Sequence, residues 1–62
     1  MYSAVNLVAI SDLPGTWVLE AIDVEDGGIE RAEFSGYRAL ENAQQTAHAL
    51  YPTMRISLDR PL

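Results

Sequence analysis

Residues 2–10 are apolar on both sides of a two-residue period. Ala4, Val8 and Ile10 fall on one face, and Val5, Leu7 and Ala9 on the other. A strand with two apolar faces belongs in the middle of a sheet. Ser11-Asp12-Leu13-Pro14-Gly15 interrupts the pattern as a turn, because proline presets φ and glycine permits a positive one. Residues 16–26 read as a second strand. Trp17, Leu19 and Ala21 lie on one face, and Val18, Ile22 and Val24 on the other, broken by Glu20. Asp26-Gly27-Gly28 is a hairpin signal. Residues 29–35 return as a third strand with Ala32 and Phe34 on one face and Arg31 and Glu33 on the other. With Gly27-Gly28 as a two-residue loop, Ala21 faces Phe34 and Asp23 faces Ala32. That register, preferred here, gathers Trp17, Leu19, Ala21, Ala32 and Phe34 on one side. A bulged loop would move the pairing by one and exchange the faces.

Residues 37–51 have helical periodicity. Leu40, Ala43, Ala47 and Leu50 form the apolar stripe, flanked by Ala39 and Tyr51. Ser35 or Gly36 can cap the start, and Pro52 ends the helix. Glu41, Gln44, Gln45 and His48 supply the polar side. Residues 53–60 alternate cleanly, Met54, Ile56 and Leu58 against Arg55, Ser57 and Asp59, and Pro61 stops them. That is a strand with one wet face. The expected fold is α+β in the order β-β-β-α-β. It is a four-stranded, mostly antiparallel sheet of order 3-2-1-4 with one helix packed on one face. The chain of 62 residues forms a single domain, residues 1–62. A domain this small has a thin core, since it buries only about 60% of the surface its unfolded chain exposes.

One helix covers one face of such a sheet. The other face keeps an apolar set from the first strand together with Val18, Ile22 and Val24 from the second, the pattern of an interaction surface. Homodimerisation through that face, or through a sheet edge, is one expectation.

Charge sharpens the picture. Nine acids face four bases, all of them arginine, for a net charge of −5. Residues 1–30 carry −6 and residues 31–62 carry +1. A chain so charged is repelled by phosphate backbones and anionic lipid and attracted to basic proteins. Arg31, Arg38, Arg55 and Arg60 are too scattered for a nucleic-acid footprint. There is no cysteine, hence no disulfide framework. The N-terminus has no basic segment before an apolar run, and no apolar stretch approaches the roughly 20 residues that span a bilayer. A cytoplasmic location is expected.

Candidate chemistry is sparse. His48 is the only histidine, on the polar side of the helix, with Glu41 two turns away. No Ser-His-Asp or Cys-His arrangement exists, and no lysine is present for a Schiff base. Asp23, Glu25, Asp26 and Glu30 lack the alternation of an EF-hand and read as a solvated hairpin. Gly27-Gly28 lacks the spacing of a phosphate-binding loop. The expectation is therefore no enzyme, no cofactor and no metal.

Trp17 early in a strand, a Gly-rich hairpin, and Phe34-Ser35 leading into a helix are similar to the meander and helix of the arm-binding domains of tyrosine recombinases. The likeness spans about half the chain and carries no specific motif. Those domains are basic DNA readers, whereas this hairpin is acidic, so the likeness implies no shared function and no membership. The sequence points instead to a non-catalytic, acidic protein-binding module. Its candidate surface is the hairpin that bears Glu20, Asp23, Glu25, Asp26, Glu30 and Glu33. The sharpest version is a small phage or mobile-element inhibitor, anti-CRISPR-like, that offers carboxylates to a basic nucleic-acid-binding groove. The alternative is a self-assembling structural or regulatory subunit.

Overall fold

The computed structural model describes residues 2–59. The elements are β1 (Ala4–Ala9), β2 (Trp17–Asp23), β3 (Gly28–Phe34), α1 (Ala39–Leu50) and β4 (Ile56–Asp59). They form one mixed sheet of order β3-β2-β1-β4 with the helix on one face. The two strands with two apolar faces occupy the middle, as their pattern requires. β1 pairs antiparallel with β2 and parallel with β4, and β2 pairs antiparallel with β3. The expected extension of β4 to Arg60 and its stop at Pro61 lie outside the described residues.

Leu13-Pro14-Gly15-Thr16 closes the first connection. The Thr16 N–H donates to the Leu13 carbonyl at 3.0 Å. Gly15 takes φ +81° at the third position, the conformation a proline-led turn of this kind demands.

The second connection differs from expectation. Asp23 pairs with Gly28, Ala21 with Glu30 and Trp17 with Phe34. The loop is therefore the four residues from Val24 to Gly27, not Gly27-Gly28 alone. The cause is Asp23, whose Oδ1 accepts the Glu25 N–H at 3.0 Å and the Asp26 N–H at 3.3 Å. That side-chain turn consumes two more residues before Gly27 reverses the chain at φ +69°. Each β2 residue shifts its partner by an even number of positions, so the faces are preserved.

The helix lies chiefly across β2 and touches β3 and β1. Val5, Leu7, Leu19 and Ala21 on the sheet meet Ala43 and Ala47 in the buried cluster, with Tyr2, Trp17, Phe34, Leu40, Tyr51, Met54 and Ile56 packed around it. The buried helical row is Ala39, Ala43 and Ala47, spaced by four. Alanines there bring the helix close to the sheet. Leu50, expected in the stripe, is instead 61% exposed. It stands at the flank beside Ala32, which is too small to cover it. The helix also starts later than its pattern suggests. Neither Ser35 nor Gly36 is the cap. Arg38 holds that position in a left-handed conformation at φ 59°, with no side-chain cap bond. Gly36, at φ +82°, and Arg38 together turn the chain from β3 onto the sheet, and the Arg38 guanidinium pairs with Glu41.

Candidate protein-binding surface

The strand registers define the uncovered face of the sheet residue by residue. Three rows cross it. The first is Ile29–Ile22–Ala4. The second is Arg31–Glu20–Asn6–Ser57. The third is Glu33–Val18–Val8–Asp59, and Ile10 extends the face beyond Val8. Thus an apolar centre on each of two levels is divided by a polar row. Val8, Ile10, Val18 and Ile22 are half-buried only by their neighbours within the sheet. Val8, Ile10, Val18, Glu20 and Arg31 line a hollow of about 280 Å³.

Charge on this face is one-sided. Arg31 is the only cation in the four strands, and its Nε lies 3.2 Å from Glu20 Oε2. Glu33 and Asp59, both exposed, sit at the two edges of the third row. Arg55 is exposed just before β4.

The six hairpin carboxylates do not form one surface. Glu20 and Glu33 share the uncovered face. Glu25 and Asp26 are exposed together on the turn. Asp23 is only 7% exposed and serves the turn. Burial pushes its carboxyl up, but the hydrogen bonds it accepts, among them those from the Asp26 and Glu25 amides, outweigh this and hold it below the ordinary carboxylate value. Glu30 points to the opposite, helix-bearing face. There Tyr2 and Tyr51, whose rings meet edge-to-face at 5.2 Å, both direct hydroxyls to its carboxylate. The hydrogen bond to Glu30, with burial and the Glu30 charge, pushes the Tyr2 phenol up to about 12. Burial, then the charge and hydrogen bond of Glu30, raises Tyr51 as well.

Of the three residues expected on an oligomer face, Val18 and Ile22 lie on the uncovered side. Val24 lies in the turn, 69% exposed, because β2 ends at Asp23. Sequence reasoning missed the polar row. Asn6, Glu20 and Arg31 are unremarkable singly, and only the registers of three strand pairs align them. Glu41, Gln44, Gln45 and His48 line a shallow depression on the outer side of the helix. Among the described residues, no three His, Asp or Glu side chains gather as a metal site, and no helix is long and apolar enough to cross a membrane. Compared with protein-family models, curated proteins and solved structures, the chain matches none.

Proposed function

We propose that this chain is a protein-binding module rather than an enzyme, and that it meets its partner with the uncovered sheet face and the adjoining acidic turn. The third row carries the reading: apolar Val18 and Val8 at the centre, Glu33 and Asp59 at the edges. An apolar centre with a charged margin is the usual anatomy of a protein interface. The charge complement is a partner with apolar side chains ringed by lysine or arginine. A basic nucleic-acid-binding groove has that chemistry. Glu33, Asp59, Glu25 and Asp26 would then stand where phosphates otherwise sit, and the chain would act as a competitive inhibitor in the cytoplasm, where such grooves are loaded.

The test is affinity capture from a nuclease-treated bacterial lysate with three tagged proteins, each confirmed folded by circular dichroism. They are the wild type, Glu25→Lys/Asp26→Lys/Asp59→Lys, and Val8→Thr/Val18→Thr. The reading requires a nucleic-acid-binding protein held by the wild type and lost by both variants. Purified wild type must also displace nucleic acid from that partner. Equal retention by all three proteins, or direct binding of nucleic acid by the wild type, refutes it.

A further inference from the structure

β3 borders the sheet. β2 pairs with one of its edges, and no described strand pairs with the other. Six of its seven residues are exposed, and it contains neither proline nor lysine, two residues that commonly block edge pairing. We propose that β3 pairs antiparallel with β3 of a second copy of this chain, about a two-fold axis midway between Ala32 and its equivalent, to make one continuous eight-stranded sheet.

The charge order along β3 selects that axis. A two-fold normal to the sheet opposes residues of the same face, so the axis passes midway between one residue and its own equivalent. Four central positions are available. An axis at Glu30, Arg31 or Glu33 sets that charged side chain against its own copy. An axis at Ala32 sets Arg31 opposite Glu33 of the second copy and Glu33 opposite Arg31, two reciprocal ion pairs on the uncovered face. Opposite charges directly across a strand pair are favourable and like charges are not. Arg31 is well placed for this, since its side chain is 65% exposed even while it contacts Glu20.

The helix-bearing side supports the same axis. Ala32 is the smallest side chain there, and directly across the axis it faces its own copy, with no like charges opposed. Beside it, exposed Leu50 lines a hollow of about 100 Å³ with Leu19, Glu30, Arg31, Ala32 and Tyr51. The two-fold brings two such hollows together and covers apolar surface left bare in the single chain. The pairing takes Arg31 and Glu33 from the margin of the same uncovered face, but the capture variants above change neither residue, so the two readings are tested by different substitutions.

Sedimentation equilibrium over a concentration series, in moderate salt to screen the net charge of −5, should show a monomer passing to a dimer. Arg31→Glu and Glu33→Arg, each confirmed folded, should each weaken the dimer about tenfold or more. Their equimolar mixture should restore it as a heterodimer, because every cross-strand pair is then of opposite charge. The chain has no native cysteine. Ala32→Cys should therefore form an intermolecular disulfide under mild oxidation, since directly opposed Cβ atoms lie about 4.5–5.5 Å apart and a small approach of the strands closes the bond, while Ser57→Cys on the far edge strand should not. A monomer at every concentration overturns the proposal. So does a dimer that is indifferent to both charge changes, or an Ala32→Cys chain that links no faster than Ser57→Cys.

Discussion

Leu7→Ala and Leu50→Ala separate the packing seen in the structure from the packing suggested by periodicity. Leu7 is 1% exposed between β2 and β4 beneath the helix, whereas Leu50 is 61% exposed. Truncation of a fully buried leucine costs about 3–5 kcal/mol, since transfer and cavity terms add. A chain of 62 residues has a total stability of about 3–9 kcal/mol at the usual value per residue. Leu7→Ala therefore removes a large share of it. With an unfolding entropy of about 0.13 kcal/mol/K for a domain this size, a loss of about 3 kcal/mol lowers Tm by about 20 °C. Full burial of leucine is worth about 1.5–3 kcal/mol, and Leu50 buries well under half its surface, so Leu50→Ala costs about 1 kcal/mol or less. Alanine's better helix propensity trims that further. Urea unfolding, followed by far-ultraviolet circular dichroism and by Trp17 fluorescence on protein dilute enough to be monomeric, measures both. Equal losses for the two variants, or a Leu7→Ala loss under about 1 kcal/mol, would refute the packing argument.

Three further outcomes follow from local geometry. Gly15→Ala and Gly36→Ala should each cost about 1 kcal/mol in the same unfolding assay. Both glycines have positive φ, and nothing lies within 4 Å of an added Cβ, so the backbone alone is responsible. Asp23 lies below its ordinary 3.8 when folded, so its contribution is complete above that value and is lost as the pH falls through the folded one. Acid titration of stability should show this loss, and Asp23→Asn should flatten it. Tyr2 is raised from 10.0 to about 12, so its contribution is complete below pH 10.0 and fades as the pH rises toward 12. Ultraviolet titration should find this late-ionising phenol, and Glu30→Gln should bring it down.

The order of elements, the sheet order and the assignment of residues to faces were legible in the sequence. Period-two and period-3.6 patterns report which side of an element is dry, and β1 and β2 could only be central. The hairpin loop was not legible. Asp-Gly-Gly is locally a two-residue loop, and the side chain that overrides it, Asp23, precedes it by three positions. Leu50 was misplaced because periodicity assigns a helix face without assigning what lies opposite, and Ala32 offers it little cover. The six acids looked like one surface because β2 and β3 are adjacent in the chain. Alternation along those strands sends Glu30 and Asp23 away from Glu20 and Glu33, and the turn chemistry then buries Asp23. The uncovered face was half visible. Its apolar members could be named, but its polar row needed the registers of three strand pairs at once.

The parallel pairing of β1 with β4 also constrains how the chain is made. Val5 lies beside Ile56 and Val8 beside Asp59, so β1, made before the other three strands of the sheet, finds its second neighbour last. The β1-β2-β3 meander can form from local hairpins, but it leaves one edge of β1 bare and Val5 and Leu7 without the helix that covers them. Contacts of such long sequence separation form late, after the cost of closing the intervening chain. Translation arrested before residue 56 would therefore release a species with an exposed edge and an open core, the kind that chaperones bind and proteases clear.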